Sequence, residues 1–138
     1  EAGTPPIAEA IGLGAAVDYL KEIQLEKIEA HERELVKRMY RGLVDVPNVE
    51  VYGPEKPEQR TGIVSFNVGN LNPHDVALAL DVSADIMVRS GHHCCLPLTK
   101  ELLKRHEGTV RASLYLYNTE AEVEKLVSAV DKIAKSLA

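Results

Sequence analysis

Between Leu43 and Val49 the hydrophobic period of this chain changes from that of a helix to that of a strand. Up to Leu43, the residues Leu25, Ile28, Leu35, Met39 and Leu43 fall near one helical face, with charged residues between them. After Pro47 the period is two. Val49 and Val51 alternate up to Gly53-Pro54, and Val64, Phe66 and Val68 alternate with Ser65 and Asn67. A chain that switches period in this way must pack helices against a sheet, because each apolar face needs a partner to cover it.

The rest of the chain extends that pattern. Thr4 ahead of Pro5 predicts a capped start for a helical region running to about Leu43 in two segments. Within it, Gly12, Gly14, Ala15 and Ala16 would let another backbone approach closely. Residues 54–62, rich in proline and charge, read as a loop. Asn72-Pro73 opens a helix to about Asp81, with Asp75 well placed in its first turn. A strand over Ile86 to Ser90 would bury Ile86 and Val88 and turn Met87 and Arg89 the other way. A strand over Thr109 to Leu114 would share Val110, Ala112 and Leu114 on one face, with Arg111 and Ser113 on the other. Thr119-x-x-Glu122 has the form of a capping box. Behind it Val123, Leu126, Val127, Val130, Ile133, Ala134 and Leu137 form a helical stripe. The order of helix, helix, strand, strand, helix, strand, strand, helix predicts an α+β fold: a small, mainly antiparallel sheet covered by helices.

At 138 residues the chain is one domain, long enough to bury a core without staples. Its net charge of -5 argues against a nucleic-acid-binding face, which needs clustered Lys and Arg. No run reaches the ~18 apolar residues of a membrane span, and no signal-peptide pattern is present. Adjacent cysteines make no disulfide framework, so a reducing, cytoplasmic setting is expected. The start at Glu1, without methionine and a few residues before a helical pattern, leads us to expect a piece of something longer.

Both cysteines fall in one short stretch, Val88-Arg89-Ser90-Gly91-His92-His93-Cys94-Cys95-Leu96-Pro97. Turn signals on each side predict a loop, where reactive side chains can be presented to a partner. Three readings compete for the thiols. Four consecutive ligand types suit a structural metal poorly, because zinc ligands are usually spaced and no second pair closes a tetrahedron; no metal is expected. A free cysteine is often a small buried hydrophobe, and Cys95, beside Leu96 and Pro97 where the chain would turn back to the core, fits that role. Cys94 fits a nucleophile, since two imidazoles and Arg89 precede it and cationic neighbours favour a thiolate. Arg111 sits on the polar face of an interior strand. A guanidinium there suits a bidentate grip on a carboxylate, or else a salt bridge at a surface or between domains.

Taken in order, Glu1-Ala2-Gly3-Thr4-Pro5, Val88-Arg-x-Gly-His-His-Cys94, Leu96-Pro97-Leu98 and Val110-Arg111-Ala-Ser-Leu-x-x-Tyr-Asn118-Thr119 resemble the C-terminal part of group II, SufS-like cysteine desulfurases. These are pyridoxal-phosphate enzymes of the class V aminotransferase family, and the resemblance covers essentially the whole chain. It implies a fold like the C-terminal domain of fold-type I pyridoxal-phosphate enzymes, with residues 1–138 forming a single small domain. It makes Cys94 the nucleophile that takes sulfur from L-cysteine as a persulfide, leaving L-alanine. Arg111 would grip the substrate carboxylate, with Arg89 beside it as a second substrate-binding residue. Gly3 and Thr4 would reach across a homodimer to the cofactor phosphate, and His92 and His93 would border the site in support. Cys95 stands where the family usually has alanine.

The family's Schiff-base lysine lies in an upstream Ser-x-His-Lys segment that this sequence does not contain. The resemblance therefore implies no covalently held cofactor here, a large cofactor-binding domain as partner, and an inactive chain in isolation. It also implies a sulfur-acceptor protein that serves iron–sulfur cluster assembly. A stand-alone persulfide carrier, or the small domain of a selenocysteine lyase or another class V aminotransferase, would use the same residues.

Overall fold

A computed structural model describes residues 2–136. Four helices and four strands follow the expected order: α1 (Ile7–Ile23), α2 (Leu25–Val44), β1 (Val49–Tyr52), β2 (Ile63–Val68), α3 (Pro73–Ala84), β3 (Arg89–Gly91), β4 (Thr109–Ser113) and α4 (Glu120–Lys135). The sheet has the order β1-β2-β4-β3, and every neighbouring pair is antiparallel. The fold is α+β, with helices on one side of the sheet.

Register decides which face is which. Val51 pairs with Phe66, Phe66 with Val110, and Val64 with Ala112. This apolar face meets Leu35, Val36, Met39 and Leu43 of α2, Val76 and Leu80 of α3, and Val123, Leu126 and Val130 of α4 in one buried cluster. Phe66, at its centre, is 0% exposed. The opposite face carries the row Tyr52, Ser65, Arg111, Arg89, one residue from each strand. A sheet buried on one side only reads as this alternation of apolar and polar residues.

The helix ends follow local chemistry. Asn72 caps α3, its side chain accepting from the His74 amide at 2.9 Å. Thr119 and Glu122 form the reciprocal capping box of α4. The long helical region breaks at Gln24, whose φ of 79° ends α1 and starts α2. Leu137 lies outside the described residues.

Several expectations need correction. Thr4 caps nothing: α1 begins at Ile7 after Pro6, without a side-chain cap. Pro6 disfavours helical geometry at the residue before it, which pushes the start past both prolines. Among the described residues of this chain no backbone takes up the close approach that Gly12 and Gly14 allow: nothing lies within 4 Å of a Cβ placed at either, and no residue of α1 is buried. The ladder of β3 begins at Arg89, not at Ile86. Ile86 and Val88 do turn towards the core and Met87 away, at 86% exposed. Ile86 and Val88 instead line a cavity of about 400 Å³ together with Ala112 and Leu114.

Candidate functional site: a thiol loop on the polar face of the sheet

The polar face is partly roofed by the segment joining β3 to β4, residues 92–108. Its two ends meet at glycines. A Cβ on Gly108 would lie 2.2 Å from the backbone carbon and oxygen of Gly91, and Gly108 has φ +86°. Only glycine lets the chain leave and rejoin the sheet at so close an approach. At the far side the segment is pinned by Arg105, whose Nε donates to the Tyr52 hydroxyl at 2.7 Å and whose Nη2 pairs with Glu50. That ion pair and hydrogen bond hold the Glu50 carboxyl below its ordinary value, while burial, as the largest cause, pushes the Tyr52 hydroxyl up to about 12. Asn67 closes the middle, its amide nitrogen donating to the Gly108 carbonyl at 3.3 Å.

Within this frame the two histidines are fixed in different ways. His93 Nε2 lies 3.1 Å from the Thr109 carbonyl and 3.0 Å from its hydroxyl. A carbonyl only accepts, so Nε2 carries the proton and Nδ1 keeps the lone pair. That Nδ1 is buried and has no partner among the described residues. Burial, then the neighbouring Arg111 charge, holds the His93 pKa below its ordinary value, which favours the neutral ring. His92 Nδ1 lies 2.7 Å from the hydroxyl of Thr99, which is 3% exposed. The single hydroxyl proton goes to the Leu96 carbonyl at 3.1 Å, so His92 donates from Nδ1 and its neutral form keeps a lone pair on Nε2.

Cys94 follows directly. Both His93 and Cys94 have left-handed φ, 54° and 62°. Two such non-glycine residues in succession store backbone strain of about 1–3 kcal/mol each, a cost that surrounding contacts must hold in place. The Cys94 side chain is exposed, and Arg89 Nη2 donates to its sulfur at 3.4 Å. Arg89 is in turn the direct cross-strand partner of Arg111. The Arg111 Nε is buried and unpartnered among the described residues. One face thus gathers an exposed thiol, two guanidiniums and two imidazoles able to accept a proton. Such a set can bind a carboxylate and stabilise negative charge on sulfur.

The sequence placed Arg89, His92, His93, Cys94 and Arg111 together, and the structure brings all five together. Gly3 and Thr4 lie apart at the head of α1, exposed and without hydrogen bonds to the loop. Cys95 is corrected: it is exposed, not buried. The chain beyond it enters a helical turn, π-wound over Leu98–Leu102, that buries Thr99 and leaves Leu102 72% exposed. The turn does not return to the core: Leu98 and Leu102 are both exposed. Thr99, Thr109 and Arg105 were missed, since their contacts depend on how the loop folds, which spacing does not reveal: Thr99 meets His92, Thr109 meets His93, and Arg105 meets Tyr52. No group of three or more His, Cys, Asp or Glu side chains converges among the described residues. None of the described helices is long and apolar enough to cross a membrane.

Comparison with known proteins decides the family. The profile described as Aminotransferase class-V matches residues 1–126. The chain belongs to the class-V aminotransferase family. A probable cysteine desulfurase of Pyrococcus abyssi is 50% identical over 137 residues, 99% of this chain and 33% of that protein. A probable cysteine desulfurase of Streptomyces coelicolor is 45% identical over 96% of this chain and 31% of its own length. Among solved structures, the apo cysteine desulfurase of Thermococcus onnurineus NA1 superposes with a TM-score of 0.90 at 48% identity, over 99% of this chain and 33% of that one. The cysteine desulfurase CsdA of Escherichia coli, in an S-sulfonic acid form, gives 0.85 at 33% identity, over 99% of this chain and 32% of that one. The chain spans about a third of the length of the relatives it matches.

Proposed function

We propose that this chain is the C-terminal small domain of a group II, SufS-like cysteine desulfurase, and that Cys94 is its persulfide-forming nucleophile. The observation that carries the reading is the Arg89 hydrogen bond to the Cys94 sulfur, with Arg111 directly across the ladder. Relatives that this chain matches over nearly its whole length are named cysteine desulfurases. On this reading residues 1–138 form one domain, and a large domain of the same cytoplasmic enzyme supplies the rest.

In the reaction Arg111 and Arg89 hold the substrate carboxylate, which aims the substrate sulfur at Cys94. The Cys94 sulfur attacks that sulfur. A sulfur–sulfur bond forms, the substrate carbon–sulfur bond breaks, and its electron pair leaves with the carbon fragment that becomes L-alanine. His92 and His93 directly precede Cys94, and each keeps a ring lone pair that can take up a proton, a role in support of the thiol's deprotonation. Pyridoxal phosphate, when bound, supplies the electron sink for the pair released at carbon. This chain fits that cofactor only in part. Gly3, at φ +109° with nothing within 4 Å, and the exposed Thr4 can meet its phosphate across a homodimer. The lysine to hold it belongs to the large domain, so the isolated chain is inactive. The larger cavities are lined elsewhere than at Cys94, Arg89 and Arg111, which leaves the polar face to be completed by another surface. An acceptor protein then removes the persulfide sulfur for iron–sulfur cluster assembly.

The test uses the full-length enzyme. Cys94→Ala should abolish sulfide and alanine release while cofactor absorbance stays intact. Normal turnover by that variant would remove Cys94 from the mechanism.

A further inference from the structure

We infer that Cys95 is a second sulfur-carrying site, which takes the outer persulfide sulfur from Cys94 and frees Cys94 for another turnover. The inference rests on the reading of Cys94 as the persulfide-forming nucleophile. Cys94 and Cys95 are consecutive, are the only thiols of the chain, and are both exposed. Burial is what makes a structural cysteine inert, and Cys95 lacks it. Its backbone is fixed: the amide donates to the His92 carbonyl at 2.9 Å, and the carbonyl accepts from the Thr99 amide at 3.2 Å. The backbone therefore anchors Cys95 next to Cys94 in the chain while its thiol remains exposed to solvent.

The step balances without any co-reactant. Cys95, as thiolate, attacks the outer sulfur of Cys94–S–SH. A bond forms between Cys95 Sγ and that sulfur, and the bond from it to Cys94 Sγ breaks. The electron pair leaves on Cys94 Sγ, to which Arg89 already donates at 3.4 Å. The proton given up by Cys95 is matched by the one Cys94 takes up, so Cys94–SSH and Cys95–SH become Cys94–SH and Cys95–SSH. A lower-energy leaving sulfur speeds such exchange.

Attack on Cys94 Sγ itself would instead expel sulfide and close a disulfide between neighbours. Their Cα atoms, joined by a trans peptide, are about 3.8 Å apart, below the ~4.4–6.8 Å that disulfides usually span. Transfer through a bridging sulfur needs no such closure, since two sulfur–sulfur links reach about 4 Å between the thiol sulfurs.

The experiment measures rapid-quench alanine formation by the full-length enzyme with L-cysteine, without acceptor or reductant. Wild type should give a burst of about two alanines per protomer, and Cys95→Ser and Cys95→Ala about one. Equal bursts in wild type and both Cys95 variants would overturn the role of Cys95. Cys94→Ser should give no burst; a burst retained there would overturn the underlying reading of Cys94 instead. Unchanged cofactor absorbance shows that each variant is folded.

Discussion

Arg89 and Arg111 are direct cross-strand partners on β3 and β4, two like charges placed opposite one another on the polar face. Like charges in that position destabilise a sheet pair, so their retention is a cost to the fold that an anionic ligand would relieve. Arg111→Gln should raise the unfolding free energy of this chain by about 0.2–1 kcal/mol, read from the urea midpoint. In the full-length enzyme the same change should raise KM for cysteine. A lower midpoint would show that Arg111 serves the fold.

Gly108 and Gly91 give the loop its closed base. Gly108→Ala adds a Cβ that meets the Gly91 backbone at 2.2 Å, at a φ that alanine tolerates poorly. The substitution should cost at least ~1–3 kcal/mol and displace residues 92–108. Hydrogen exchange over that segment should rise while the α4 core stays protected; unchanged protection would mean that the close approach is not needed.

The His93 pKa is held below its ordinary value of 6.5 by burial and then by Arg111. The unfolded chain therefore binds the proton more readily, and stability rises with pH in this window. That contribution is fully present above 6.5 and is lost as pH falls through the lower, folded value. The urea midpoint of wild type should fall more between neutral pH and pH ~5.5 than that of His93→Gln. Equal falls would remove His93 from the effect.

The Arg105–Glu50–Tyr52 contact joins the thiol loop to the far edge of the sheet. Glu50 is largely exposed, so the ion pair contributes only about 0–1 kcal/mol, and its effect is local. Because the Glu50 pKa is lowered, chiefly by the Arg105 hydrogen bond, the contribution is present above pH 4.5 and lost as pH falls through the folded value. Arg105→Met should speed exchange over residues 98–108 with little change in the global midpoint. A large global loss would contradict a local clamp.

The legible parts of the fold were those with a local cause. Val64, Phe66 and Val68 alternate because one face of β2 meets the helices, and Thr119 with Glu122 spells its own cap. The five clustered site residues were legible because two sit on strands with fixed faces and three on the loop between. What spacing hid depends on how the loop folds and on partners far along the chain. Arg105 finds Glu50 55 residues away, and Thr99 is held inside its own loop by His92 and the Leu96 carbonyl. Cys95 was expected inside because Leu96 and Pro97 beside it read as a turn back to the core, yet Leu96, like Leu98 and Leu102, is exposed.

The most direct measurement is the position of added sulfur after the full-length enzyme meets L-cysteine. Rapid alkylation of exposed sulfur, digestion, and fragmentation of the peptide holding Cys94 and Cys95 would locate it. The account predicts that an added sulfur appears first on Cys94, and that Cys94→Ser carries none at either position. Sulfur accumulating in Cys94→Ser at the wild-type rate would contradict it.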